Sequence, residues 1–299
     1  MQVFVAHAEG IAIMGDLPAT VRVEAGPDPT VSAAEVEFWV PPFLATAPLE
    51  IIARLPGLKV VQLLSAGADA WVGRLPEGVT LCDARGVHSS PTSEWAVAAV
   101  LAYLRDFPYF ARAQARGEWA YRPTDELAGK RVLIVGAGAI GEATAARLAP
   151  FEVEVTRVAR HPREGVHGVD ELPALLPDAD VVIVIVPLTA ETVRLVDAKF
   201  LAAMRDGALL VNAARGPVVD TEALTAELAT GRIGAALDVT APEPLPAGHP
   251  LWTMPNLLLT PHVAASVGGM LRRAYALVGA QVRRYAAGEP LDNVVHADY

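Results

Sequence analysis

Short aliphatic runs alternate with alanine-rich stretches of mixed polarity from one end of the chain to the other, the pattern of an α/β architecture with mostly parallel sheet. The run "VVIVIV" at 181–186 is the extreme case: with no polar position to turn toward solvent, it reads as a strand buried on both faces. "MQVFVAH", "EVEFWV", "KVVQLLS" and "VTLCDAR" predict the strands of a first unit. Ser90-Pro91-Thr92 then marks a helix start, with the proline where a first turn tolerates it. The stretch that follows, "TSEWAVAAVLAYLRDF", is unusually apolar for its length, as a helix bridging two lobes would be, and Pro108 should kink or end it. "YRPTDELAGK" is a polar connector. Beyond it "RVLIVG", "EVEVTRV", "DVVIVIVP", "GALLVNAA" and "IGAALDV" recur as strands of a second unit, and "DTEALTAELATG" predicts a helix with Asp220 or Thr221 as cap and Gly231 as stop. The last helix, "MLRRAYALVGAQVRRYAAG", is expected to pack back on the first unit and make it discontinuous. Two domains are therefore expected, residues 1–97 with 268–299, and residues 98–267.

Composition narrows the function classes. A chain of 299 residues can bury two cores, and the longest aliphatic run is far short of the roughly 20 residues that span a bilayer. "MQVFVAHAEG" lacks the basic start of a secretory signal, so a cytoplasmic protein with no membrane partner is expected. The single cysteine, Cys82, allows no internal disulfide and no metal cluster, and is read as a small buried apolar residue. A net charge of −10 argues against a nucleic-acid surface and leaves small molecules as the expected partners.

"VGAGAIG" places Gly136, Gly138 and Gly141 in the spacing G-x-G-x-x-G, after a β-branched strand and at the start of an alanine-rich helix. In that context Gly136 permits the tight turn, Gly138 the approach of a pyrophosphate, and Gly141 close packing of helix on strand, while Ala139 and Ile140 lie in the first turn beside the phosphates. A site for NAD carries an acid about 20 residues further on, which binds the ribose hydroxyls and repels a 2′-phosphate. Here "EVEVTRVARHPREG" has Ala159 in or near that position and three arginines around it. Guanidinium forks match phosphate oxygens, so the expected cofactor is NADP(H), with NAD(H) possible. Arg160 is the first choice for the 2′-phosphate, and Arg157 and Arg163 are the second.

Three later segments put polar residues just past strands: "NAARGPVVD" with Arg215, "ALDVTAPEPLP" with Asp238 and Glu243, and "LLLTPHVAAS" with His262. Together with the glycine turn, "SAGAD" at 65–69, "VPLTAET" at 186–192 and the closing "GEPLDNVV", they make the chain resemble the D-isomer-specific 2-hydroxyacid dehydrogenases over almost its whole length. The resemblance implies two Rossmann-like domains, the discontinuous one binding substrate and the other the dinucleotide, with a cleft that closes on a small 2-keto or 2-hydroxy acid of glyoxylate or hydroxypyruvate type. It also implies a homodimer formed through the cofactor domains. Residue by residue, it assigns catalysis to Arg215, Glu243 and His262. His262 would exchange a proton with the substrate oxygen, Glu243 would orient its ring, and Arg215 would grip the substrate and stabilise developing negative charge. The backbone of Ser65, Ala66 and Gly67 would clamp the substrate carboxylate. Pro187, Leu188, Thr189 and Ala213 would lie along the cofactor, and Asp238 would bind the nicotinamide carboxamide.

Ala264-Ala265 stands where many relatives have glycines, which could narrow the pocket. The remaining histidines are read as structural or exposed, with His88 in a loop that could border the cleft, and Trp95 and Trp119 as packing groups. A short-chain reductase is set aside because none of the six tyrosines has a lysine four residues later. A nucleotide-sensing or corepressor-like protein on the same scaffold is the alternative that turnover would separate from an enzyme.

Overall fold

The computed structural model describes residues 1–43, 45 and 48–296. The chain forms two compact units, Met1–His88 with Val267–Tyr299, and Ser89–Ser266. In the first unit the described residues form a five-stranded parallel sheet of β1 (Gln2–Val5), β2 (Arg22–Ala25), β3 (Val36–Val40), β4 (Val60–Gln62) and β5 (Thr80–Cys82), in the order β2-β1-β3-β4-β5. Alternate side chains go to opposite faces, as the two-residue period of a strand requires. Val3, Val5, Phe38 and Val60 join one core, and Phe4, Trp39 and Val61 the other. Ala274, Tyr275, Val278 and Val282 of the helix Met270–Ala287 lie in the first of these cores, so the C-terminal segment completes the N-terminal unit as expected. Cys82 is buried, and burial pushes its thiol up to about 12, which suits the apolar role read for it.

The second unit is built on a seven-stranded parallel sheet of β6 (Arg131–Val135), β7 (Glu154–Ala159), β8 (His167–Gly168), β9 (Val181–Val184), β10 (Leu209–Asn212), β11 (Gly234–Leu237) and β12 (Leu257–Leu259). Their order is β12-β11-β10-β9-β6-β7-β8. Leu133, Val135, Val182, Val184 and Leu210 pack on one face under the helices Ala198–Ala203 and Thr221–Ala229. Val132, Ile134, Val181, Ile183, Leu209 and Val211 pack on the other, under the helices Ser89–Leu104 and Ala139–Leu148. Sequence order reverses direction at β6, which has β7 on one side and β9 on the other. Open parallel sheets hold ligands at such a switch point, outside the carboxyl ends of the strands.

The compact units divide at His88/Ser89, nine residues before the expected 97/98. A cut at 97 would divide the helix Ser89–Leu104, whose buried residues run from Pro91 to Leu104 and join the core under β6 and β9. The connector at 121–130 likewise falls inside the second unit, with Leu127 buried in that core. The helix ends before Pro108: Asp106 takes a left-handed conformation (φ 53°), and Pro108 enters the first turn of a new helix, Phe107–Ala115. Among the described residues no helix is long and apolar enough to cross a membrane.

Candidate active site

The carboxyl ends of β6, β7, β9, β10, β11 and β12 carry the site residues predicted for the second unit except Arg157, which lies within β7. At the end of β6, Gly136 adopts φ 116°, and a Cβ there would sit 2.1 Å from the Ile185 carbonyl oxygen. A Cβ on Gly141 would sit 1.9 Å from the Gly136 oxygen. No side chain fits at either place. Around Gly138 a Cβ would meet nothing within 4 Å, so open space lies over the turn. The helix Ala139–Leu148 starts at Gly138 with no side-chain cap, which leaves its first N–H groups to a ligand. Strained turn, open approach and uncapped helix together fit the pyrophosphate of a dinucleotide.

Next to this turn, β7 ends at Ala159 with no acid, and the three arginines differ in their surroundings. Arg157 donates to Glu142 (2.5 Å) and to the Gly165 carbonyl (3.2 Å), and Arg163 donates to the Ala137 carbonyl (2.7 Å). Arg160 makes, among the described residues, a 3.5 Å contact with Glu191 and a 3.4 Å contact with His161, both exposed. On the other side of β6, Pro187, Leu188 and Thr189 follow β9 in a turn closed by Thr192, whose hydroxyl donates to the Pro187 carbonyl (2.6 Å) and accepts from the Thr189 N–H (2.8 Å). Ala213 follows β10, and its N–H donates to the Val184 carbonyl (3.2 Å).

β10, β11 and β12 are neighbours and deliver Arg215, Glu243 and His262 to one edge. Nδ1 of His262 lies 3.0 Å from Oε2 of Glu243, and the other carboxylate oxygen accepts from the Thr240 N–H (3.1 Å). Burial alone would raise the Glu243 carboxyl. Hydrogen bonds from His262 and Thr240, helped by the positive charge of Arg215, outweigh it and hold the group below the ordinary glutamate value. Glu243 therefore stays ionised, an acceptor for an Nδ1–H, which leaves Nε2 of the ring for another partner.

Several features that make this possible were not read from the sequence. His262 has a left-handed backbone (φ 55°), a strained state for a residue with a Cβ. Its N–H donates to the Asp238 carbonyl (2.7 Å). The Asp238 carboxylate, 2 % exposed, accepts from the Thr260 hydroxyl (2.6 Å) and from the N–H groups of Val263 (2.9 Å) and Ala264 (2.8 Å). Asp238 thus fastens the loop that carries His262, a task its motif did not reveal. Gly216 has the same hidden importance: a Cβ would lie 1.8 Å from the Thr240 oxygen, so only glycine lets the Arg215 loop meet the loop bearing Glu243. Asn212, buried at the end of β10, donates to the Arg215 carbonyl (3.2 Å) and accepts from the Ala214 N–H (3.0 Å).

In the first unit Ser65, Ala66 and Gly67 lie beyond β4, with the Ser65 hydroxyl donating to the Gly67 carbonyl (2.9 Å). His88 is buried in that unit, its Nε2 2.6 Å from the Leu64 carbonyl oxygen. Trp95 packs against the second unit's core, but Trp119 does not pack: it is 98 % exposed. The run "RGEWAYRP" around it belongs to no helix or strand that could turn the indole inward.

A glycine turn at the switch point of a parallel sheet, with a glutamate and a histidine paired beyond the strands three and four places away from it, defines a dinucleotide-dependent oxidoreductase of the Rossmann class. The chain belongs to the D-isomer-specific 2-hydroxyacid dehydrogenase family, since residues 97–264 match the family's model, "D-isomer specific 2-hydroxyacid dehydrogenase, NAD binding domain". It is 38% identical over 234 residues to the glyoxylate reductase of Thermofilum pendens, covering 73% of this chain and 68% of that protein. A D-isomer-specific 2-hydroxyacid dehydrogenase from Xanthobacter autotrophicus Py2, solved with NADPH and MES, superposes with a TM-score of 0.84 at 35% identity, over 99% of this chain and 98% of that one. The NADPH-dependent glyoxylate/hydroxypyruvate reductase of Sinorhizobium meliloti, solved with NADP and sulfate, gives 0.86 at 28% identity, over 100% and 99%. The chain is accordingly an NAD(P)-dependent dehydrogenase.

Proposed function

We propose that the enzyme reduces a small 2-keto acid, glyoxylate or hydroxypyruvate, with NADPH as its preferred cofactor. The observation that carries the chemistry is the 3.0 Å pair of His262 Nδ1 and Glu243, with Arg215 close enough to lower the carboxyl. With a dinucleotide held through its pyrophosphate at the glycine turn, the nicotinamide would supply the hydride. With Nδ1 held by Glu243, Nε2 of His262 gives its proton to the substrate carbonyl oxygen, or takes it back in the reverse direction. Arg215 binds the substrate carboxylate or carbonyl oxygen and stabilises the charge that develops there. Asp238 offers its remaining lone pair to the carboxamide while it anchors the histidine loop.

The cofactor preference rests on Ala159, which removes the repelling acid, and on Arg160, whose guanidinium has long, exposed contacts. Names of similar proteins support both parts: one is a glyoxylate reductase, and another an NADPH-dependent glyoxylate/hydroxypyruvate reductase. Steady-state rates with NADPH and NADH, for wild type and Arg160→Ala, test the reading. The wild type should favour NADPH, and the variant should lose about tenfold or more of that preference, since a hydrogen bond to a charged group contributes roughly 1.5–3 kcal/mol. Equal use of both cofactors by the wild type sinks the NADPH assignment; failure to oxidise either cofactor with any 2-keto acid sinks the substrate assignment. We also propose a homodimer through the second unit, whose exposed Phe107, Trp119 and Tyr121 suit burial against a second copy.

A further inference from the structure

Two of the arginines in and after β7, Arg157 and Arg163, meet one carboxylate that none of the known site motifs includes. Glu142 stands in the first turn of the helix Ala139–Leu148, one residue past the third glycine. Its Oε2 accepts from Arg157 Nη1 at 2.5 Å, and its Oε1 lies 3.4 Å from Arg163 Nη2. The same Nη2 donates to the Ala137 carbonyl at 2.7 Å, inside the glycine turn itself. The loop carrying Arg163 is folded back by reciprocal backbone bonds between Arg163 and Val166 (3.0 and 2.8 Å), and Arg157 ties down its tip through the Gly165 carbonyl (3.2 Å). Strand, loop and helix start are thus joined through Glu142.

A bare carboxylate at the start of a nucleotide-binding helix would repel the pyrophosphate. Two guanidiniums neutralise it here, and the position makes sense if its purpose is to hold them. We propose that Glu142 is a positioning residue for the adenosine 2′-phosphate, presetting Arg157 and Arg163 beside Arg160 so that the three form a cradle before the nucleotide arrives. This rests on the NADPH reading above. Each guanidinium has five N–H donors, and the bonds to Glu142, Ala137 and Gly165 use only part of them. The four side chains together carry two positive charges in excess, close to the opposite of a phosphate monoester at neutral pH, about −1.5 to −2. Ordering long arginine side chains during folding rather than at binding raises affinity through preorganisation.

The test uses the protein without cofactor and two fragments that differ by the phosphate in question, adenosine 2′,5′-bisphosphate and 5′-AMP, titrated calorimetrically. Glu142→Gln keeps the shape and removes the charge, and at a half-exposed position it should fold. Bisphosphate binding is expected to weaken about fivefold or more while 5′-AMP binding does not weaken. Combined with Arg157→Ala, the substitution should add less than it does alone, because it acts through that arginine. Glu142→Asp, with the charge kept and the reach shortened, gives an intermediate loss. Equal weakening for both fragments would show a merely structural role and overturn the proposal. Unchanged or tighter bisphosphate binding would overturn it too, since the carboxylate would then be a bystander or a competitor of the phosphate. A wild type without any preference for the bisphosphate overturns the NADPH reading along with it; a preference that survives Glu142→Gln overturns this proposal alone.

Discussion

At the scale of single residues, Glu243 is the group whose ionisation the site depends on most directly. Its carboxyl is depressed in the folded chain, so it is anionic through the ordinary glutamate range near 4.5 and holds His262 by Nδ1. A carboxyl with a folded pKa below its unfolded one contributes stability above the unfolded value, and that contribution is lost as pH falls through the folded value. Urea midpoints of wild type and Glu243→Gln should therefore differ at about pH 7 and converge as the pH falls past the ordinary glutamate range into stronger acid. A gap that stays constant on acidification contradicts the depressed carboxyl. The same variant should lose about 10²-fold in kcat/KM, the usual scale for a misdirected proton donor. Which residues would gather here was legible in the motifs, because Arg215, Glu243 and His262 each follow a strand. What sets their geometry was not. Gly216 acts by a close backbone approach and Asp238 by bonds to the N–H groups of the histidine loop, and neither of these tasks leaves a mark in residue type or spacing.

Among the elements, the helix Thr221–Ala229 shows how completely a local signal can be read when the residues that make it are adjacent. Asp220 caps it through the N–H groups of Glu222 and Ala223, both at 3.1 Å, and Gly231 follows its end in a left-handed conformation (φ 73°). The other carboxylate oxygen accepts from Arg194 (Nε at 3.0 Å), and this bond first, with the cap, holds the Asp220 carboxyl low. Asp220→Ala should cost about 1 kcal/mol, the usual worth of such a cap, and lower the melting temperature with little change in kcat. A variant that melts with the wild type would show that the N-terminal turn needs no cap. The interior strands β3, β4, β6, β9, β10 and β11 were equally plain, since burial on two faces demands aliphatic runs. β2 and β8 were not. Both are edge strands of their sheets; β2 alternates exposed and half-buried residues, and β8 has two residues with one buried. Short edges satisfy few backbone bonds and need little hydrophobicity, so their sequences resemble loops. The compact units divide earlier than expected for a related reason: a helix apolar nearly all round signals burial without saying which core receives it.

For the whole molecule, the proposed dimer has to overcome its own charge. Two copies that each carry −10 repel one another, so ion pairs are a poor basis for the interface and apolar burial must provide it. Trp119 at 98 % exposure, Tyr121 and Phe107 are the large aromatic groups that the second unit leaves in solvent around residues 107–121. An aromatic side chain buries roughly 150–250 Å², so two copies of these three would supply a large part of a standard interface of about 1,600 Å². Sedimentation equilibrium should accordingly give twice the mass of one chain at micromolar concentration. Because the repulsion is screened by salt and the apolar contact is not, the dimer should tighten between about 0.02 M and 0.3 M sodium chloride, the reverse of an interface held by ion pairs. Trp119→Glu with Tyr121→Glu should shift the equilibrium toward the monomer. In the wild type, dilution should move tryptophan emission to the red as the indole of Trp119 returns to water. A monomer at every concentration refutes the dimer, and a dimer that survives both substitutions and weakens with salt places its contact elsewhere on the surface.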